Sequence, residues 1–152
     1  MKLKIGEKAP EFTGVDQDGN TVSLKDFKGH NLILYFYPKD DTPGCTAESC
    51  DLRDNYEMWL SRGYKVLGVS PDSKESHQKF IKKYDLPFPL IADTEKEIIK
   101  AYGAWGVKNM YGKEYEGLLR TTFVIDGEGV IRNIFEKVKT KDHTAQILSE
   151  VG

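Results

Sequence analysis

The chain has 152 residues, a single-domain length at which roughly 70% of the unfolded surface can be buried around one core. Its 22 basic and 24 acidic residues leave a net charge of −2, with the basic ones scattered singly or in pairs such as Lys82-Lys83, which excludes the basic field of a nucleic-acid binder. No apolar run approaches the length of about 18 that a membrane span needs, and the start Met1-Lys2-Leu3-Lys4-Ile5-Gly6 lacks the apolar stretch of a secretory signal. The expectation is one domain over 1–152 in the cytoplasm, where thiols stay reduced. Two cysteines are too few for a disulfide framework, which makes catalytic use the better question.

Phe12 to Leu24 reads as a hairpin of two short strands around Asp18-Gly19. The unbroken apolar run Leu32 to Tyr37, stopped by Pro38, suits a strand covered on both faces. Thr42 to about Arg62 reads as a helix, with Thr42 as N-cap, Pro43 at the first position and Gly63 beyond the end. Tyr64 to Val69 is a second buried strand and Lys74 to Tyr84 a second helix. Phe88 to Ile91 and Glu95 to Tyr102 repeat strand then helix more weakly. Thr121 to Ile125, the turn Gly127-Glu128-Gly129 and Val130 to Lys137 form a hairpin before a last helix from about Asp142. This order indicates an α/β sandwich with a mixed central sheet, and a thioredoxin-like arrangement fits it.

The informative stretch runs from Tyr37 to Cys50, between a buried strand and a helix, where open α/β sheets place their sites. With Thr42 as N-cap, Cys45 is the third helical residue, near the positive end of the helix dipole and unpaired backbone N–H groups, which favour an anion. At about 100° per residue, Cys45, Leu52, Tyr56 and Trp59 share the core-facing stripe. Glu48 falls on the inner side, and Cys50 lies on the polar face beside Asp54, Glu57 and Ser61. Each residue also has a plainer reading. Cys45 would be a small core residue, Cys50 an exposed thiol, and Glu48 a helix-start carboxylate favoured by the dipole.

Pro38-x-x-x-Thr42-x-x-Cys45 resembles the peroxiredoxin active-site motif, and a second cysteine five residues on, Cys50, resembles the bacterioferritin-comigratory, or Q, subfamily. The likeness extends over nearly the whole chain, through Gly6 to Phe12, Val69-Ser70-Pro71-Asp72 and Arg120 to Asp126. The resemblance implies that Cys45 attacks peroxide, Thr42 and Arg120 hold the reacting oxygens, and Pro38 shields the sulfur. It further implies that Cys50 resolves the oxidised sulfur as a Cys45–Cys50 disulfide, and that thioredoxin or glutaredoxin re-reduces the pair. Peroxides and that reductant are the expected partners, with no nucleic acid, membrane, cofactor or metal, in a monomer or weak homodimer.

Elementary chemistry supports that division of labour. Lowering a cysteine pKa from about 8.5 to about 6 raises the thiolate fraction at pH 7 about 30-fold. A Brønsted slope of about 0.4–0.5 takes back about tenfold in nucleophilicity. A fast peroxidase must therefore stabilise the charge moving across the O–O bond. Arg120 offers a fixed cation, the Thr42 hydroxyl can donate and accept, and the Cys45 amide adds a donor. Glu48 is expected to orient Arg120 by a bidentate pair; the plainer reading of Arg120 is a surface salt bridge. His30, His77 and His143 fall in separate loop or helix-edge contexts without metal-ligand spacing to the cysteines. Two other classes stay open. A thioredoxin-like dithiol oxidoreductase is disfavoured by four residues rather than two between the cysteines, and a redox sensor would pass oxidation to a partner without turnover.

Overall fold

The structure, a computed structural model, describes residues 2–151. A five-stranded sheet organises it: β3 (Asn31–Phe36), β4 (Tyr64–Ser70) and β5 (Leu90–Ala92) run parallel, and β8 (Thr121–Ile125) and β9 (Ile131–Phe135) are antiparallel, in the order β5-β4-β3-β8-β9. The amino-terminal hairpin, β1 (Thr13–Val15) and β2 (Thr21–Ser23), forms a separate small sheet. Its turn is tied by the Asp16 carboxylate, which accepts from the amides of Asp18 and Asn20, each at 2.9 Å. Helices α1 (Pro43–Asp54), α2 (Tyr56–Ser61), α3 (Lys74–Tyr84), α4 (Glu97–Ala101) and α5 (His143–Val151) flank the sheet.

The run Leu32 to Phe36 is apolar throughout because both faces of the central strand are covered. Leu32, Leu34 and Phe36 pack with Ile98, Ile99 and Tyr102 on one side. Ile33, Tyr35 and Tyr37 pack with Cys45, Leu52 and Trp59 on the other. Each such large side chain contributes about 1.5–3 kcal/mol on burial, which makes the sheet a rigid platform. The expected mixed α/β sandwich is the fold.

Three details differ from the sequence reading. The long helix breaks at Asn55, whose φ −110° and ψ 12° separate α1 from α2. Helix α4 begins at Glu97, with Lys96 in the left-handed region at φ +61°. The segment after Gly103, to which no element was assigned, holds a further hairpin, β6 (Trp105–Met110) and β7 (Lys113–Leu118), turning at Tyr111 and Gly112.

The loop from β3 into α1 is strapped to α3. The Asp40 carboxylate accepts from the Tyr37 hydroxyl at 2.6 Å, Ser76 Oγ at 2.8 Å and His77 Nδ1 at 2.7 Å, while its amide donates to Asp72 at 2.7 Å. Asp41 takes a left-handed φ of +57°, tolerable for Asp, and accepts from Lys83 at 2.8 Å and Tyr84 at 2.7 Å. A loop held by this many partners delivers α1 at a fixed position. His77 is therefore fully buried, not at a helix edge as expected. Its carboxylate neighbours are already engaged by donors, so the cluster with Asp40 and Asp72 reads as a loop anchor.

Candidate active site

Helix α1 starts where the sequence places it. Pro43 is first, the first intrahelical bond runs from the Thr46 amide to the Thr42 carbonyl at 2.8 Å, and Cys45 stands third, its amide ahead of that bond. One correction concerns the cap. Thr42 has the extended backbone of an N-cap, but its hydroxyl donates to the Lys39 carbonyl at 2.8 Å instead of capping the helix. The hydroxyl proton is thereby directed backward, leaving the oxygen's lone pairs as acceptors.

Cys45 is completely buried, and Arg120 Nη2 lies 3.1 Å from its sulfur. Arg120 enters from the residue before β8, far away in sequence, because β8 runs antiparallel to β3 and so begins beside the end of β3, Thr121 against Phe36, on the side where the chain enters α1. Gly44 makes the approach possible: a Cβ there would stand 3.3 Å from Arg120 Nη2, tighter than the guanidinium could accept without shifting. Burial works against the charge on Arg120, and Glu48 and Cys45 together outweigh it, pushing the guanidinium above its ordinary value.

Glu48 lies one turn along, wholly buried, and Oε1 accepts from Arg120 Nη1 at 2.7 Å. The expected bidentate pair does not form. Oε2 turns away from Arg120 toward His143 Nε2, 3.4 Å off, and has no hydrogen-bond partner. Burial is the main cause that raises Glu48 to about 7, partly offset by Arg120 and Thr122. His143, expected at a helix edge, is fully buried at the start of α5 and is lowered to about 4, mainly by burial, with its hydrogen bond to Gln146 Oε1 opposing and Arg120 adding.

Sequence reasoning missed His143 and Thr122 as neighbours of Glu48. A signal existed for His143: with Ile147 and Val151 it forms the inward stripe of a short amphipathic helix. Its partner depends on how α5 crosses α1, which no local pattern contains.

Cys50 is half-buried on the far side of α1 with its thiol free, and burial is the first cause that pushes it above the ordinary thiol value. Pro38 follows β3 and is half-buried. Ser49 accepts or donates to Tyr35 across 2.9 Å, and Asp51 accepts from the Thr144 amide at 2.6 Å, so α1 is stitched to both β3 and α5.

A sulfur seated on a helix N-terminus above a mixed sheet, with a buried cation in contact, defines a thiol-chemistry protein on a thioredoxin-like sandwich. The model of the AhpC/TSA family matches residues 5–134, and the chain belongs to that family, among its peroxiredoxins. It is 48% identical over 148 residues to peroxiredoxin Bcp of Bacillus subtilis, spanning 97% of this chain and 94% of the relative. Against peroxiredoxin Bcp of Escherichia coli it is 42% identical over 147 residues, again 97% and 94%. Among solved structures it is similar to the bacterioferritin comigratory protein of Xanthomonas campestris, with TM-score 0.85, 37% identity, and 91% and 88% of the two chains covered. A cysteine-to-serine mutant of Xylella fastidiosa PrxQ gives TM-score 0.91 at 30% identity, covering 99% and 96%.

Proposed function

We propose that Cys45 is the attacking sulfur of a thiol peroxidase and Cys50 its resolving partner. The activity at the level of class, reduction of peroxides by an enzyme thiol, comes with membership of the family. The assignment of residues rests on one observation above all: the buried Cys45 sulfur at the start of α1 with Arg120 Nη2 at 3.1 Å.

In this reading a peroxide enters over α1 and displaces side chains that close off the sulfur. The thiolate attacks the nearer oxygen, the O–O bond breaks, and the second oxygen leaves as hydroxide or alkoxide. Arg120 and the Cys45 amide donate to the oxygens as charge moves onto them. Thr42 accepts from the peroxide hydroxyl, and Pro38 limits the approach of water. Glu48 holds Arg120 in place through one charge-assisted bond. The sulfenic acid on Cys45 then condenses with the Cys50 thiol, releasing water and leaving a disulfide. A dithiol protein of the thioredoxin or glutaredoxin type returns both sulfurs to thiols. The Xanthomonas relative is described as reducing alkyl peroxides, which supports organic hydroperoxides beside hydrogen peroxide as substrates here. The reading takes 1–152 as one peroxiredoxin domain working in the cytoplasm as a monomer or weak homodimer. Among the described residues no helix is long and apolar enough to cross a membrane.

The test is peroxide consumption with a thioredoxin system. Cys45→Ser abolishes it, because a hydroxyl at neutral pH is a far weaker nucleophile. Thr42→Val and Arg120→Met keep the fold and slow Cys45 oxidation by about 10²-fold or more at subsaturating peroxide. Turnover retained by Cys45→Ser overturns the mechanism, and a near-wild-type rate in either other variant removes that residue from it.

A further inference from the structure

The mechanism uses one oxygen of Glu48. The other, Oε2, is buried without a hydrogen-bond partner, and it faces His143 Nε2 at 3.4 Å. An orphaned polar atom in a dry interior costs about 1–3 kcal/mol, and more when charged, so the position of the protons matters.

The hydrogen bonds around α5 fix the histidine. The Lys139 amide can only donate, and it reaches Gln146 Oε1 at 2.9 Å, so that oxygen is an acceptor. The same oxygen faces His143 Nδ1 at 3.0 Å, which places the ring proton on Nδ1. Nε2 then carries a lone pair, and Thr122 Oγ1 donates to it at 2.8 Å. A neutral ring so oriented presents Glu48 with a lone pair. An ionised Oε2 would set lone pair against lone pair, whereas a protonated Oε2 can donate, either to Nε2 in place of Thr122 or to the Thr122 oxygen while that hydroxyl donates to Nε2. Burial acts in the same sense on both groups, up for Glu48 and down for His143.

We propose that Glu48 holds a proton on Oε2 against His143 while Cys45 is a thiolate, and releases it when Cys45 becomes a neutral sulfenic acid. His143 is the positioning residue of this device, acting on the chemistry only through Glu48 and Arg120. The proposal rests on Cys45 being the attacking sulfur.

The reason is charge balance around Arg120. In the reduced site the thiolate at 3.1 Å neutralises the guanidinium, and a second anion 2.7 Å from it would be in surplus. Attack moves that charge onto the departing oxygen. The thiolate, a peroxide R–O–OH and the Glu48 acid become the sulfenic acid, the alcohol R–OH and the Glu48 carboxylate. Sulfur is oxidised and the peroxide reduced. The alkoxide takes its proton from water, and the Glu48 proton restores the solvent, so the net charge of the site is unchanged. Arg120 exchanges one anionic partner for another. Other groups facing Glu48 do not take over this role. Asp51 on α1 is engaged with the Thr144 amide, burial holds Tyr35 on β3 well above its ordinary value, and Lys139, Lys141 and Asp142 beside α5 are exposed.

Infrared difference spectra of the Cys50→Ser protein, recorded before and after one equivalent of peroxide near pH 6.5, test the proposal, with intact mass taken on the same sample. The expected result is loss of a buried carboxylic-acid C=O band as Cys45 gains one oxygen, and no such band in the Cys50→Ser/Glu48→Gln protein. No acid band in the reduced protein, or a band untouched by oxidation, overturns it. If the mass shows Cys45 unmodified, the reading of Cys45 has failed and the proposal falls with it. Because ionised Glu48 draws Arg120 away from the reacting oxygens, the rate of Cys45 oxidation has a descending limb near pH 7. In His143→Gln, an amide N–H donating to Oε2 moves that limb down by about one pH unit or more. Gln146→Met, which frees Nδ1 and lets the ring proton move to Nε2, moves it the same way by less and leaves the core intact. A uniform loss of rate with the limb unmoved in both variants would mean that His143 is merely structural, and overturns its role.

Discussion

The Glu48–His143 pair leaves a mark on stability as well as on chemistry. Glu48 rises from an ordinary 4.5 to about 7, so the folded protein keeps a proton that the unfolded chain has lost. Its contribution is fully present below pH about 4.5 and is lost as pH rises through about 7. His143 falls from 6.5 to about 4, so its contribution is fully present above pH about 6.5 and is lost as pH falls toward 4. Each is of the order of 3 kcal/mol over its window, and between about pH 5 and 6.5 the two slopes oppose. The wild-type urea midpoint should be nearly level there as far as this pair decides it, while Glu48→Gln should rise in stability with pH. Parallel profiles for the two proteins would show that Glu48 does not keep the proton in the folded state. None of this was legible in the sequence. The wheel put Glu48 inward beside Cys45, and that placement is right. But whether an inward carboxylate is bidentate or half-orphaned depends on α5, which arrives about a hundred residues later.

At the scale of elements, the question is how two sulfurs on opposite sides of α1 meet. Both lie within Pro43–Asp54. Five residues of helix separate them by about 7.5 Å of rise and about 140° of rotation, putting Cα atoms roughly 8–9 Å apart. A disulfide needs Cα atoms within about 6.8 Å and converging Cβ vectors. If Cys50 closes the bond as proposed, the first turns, about Cys45 to Arg53, unwind, and the break at Asn55 marks where unwinding can stop. Beyond it Trp59 stays buried, its indole N–H donating to Thr144 at 3.3 Å. The opening sacrifices the bonds of Ser49 to Tyr35, Asp51 to Thr144 and Arg53 to Tyr84. Hydrogen exchange should show the Ala47 to Arg53 amides protected in the reduced protein and fast in the disulfide form, with α2 unchanged. Equal protection in both, with the disulfide confirmed by mass, would rule out unwinding. The sequence marked the start of α1 well, because proline and the extended Thr42 are local signals. It hid the break, because Asn55 interrupts no hydrophobic stripe. It also hid the β6–β7 hairpin: the strands are largely exposed and lack alternation, and Tyr111 takes φ +54° where asparagine would have announced the turn.

For the whole molecule, the sheet divides the labour. Its covered central strands were readable as unbroken apolar runs, and their order follows from alternating strands and helices. The meeting of Arg120 with Cys45 was not readable from spacing, since it depends on β8 pairing antiparallel to β3. The family resemblance supplied that partner, and the geometry shows why it works: a rigid platform, a strapped loop, and a glycine that admits the guanidinium. The central claim is that Cys45 takes the oxygen and Cys50 closes the bond. Intact mass after one equivalent of peroxide tests it most directly, on the wild type and on each cysteine-to-serine variant. The expected result is loss of two hydrogens in the wild type, gain of one oxygen in Cys50→Ser, and no change in Cys45→Ser. Oxygen gained by Cys45→Ser at the rate of Cys50→Ser, with Cys45 otherwise untouched in the wild type, would contradict it.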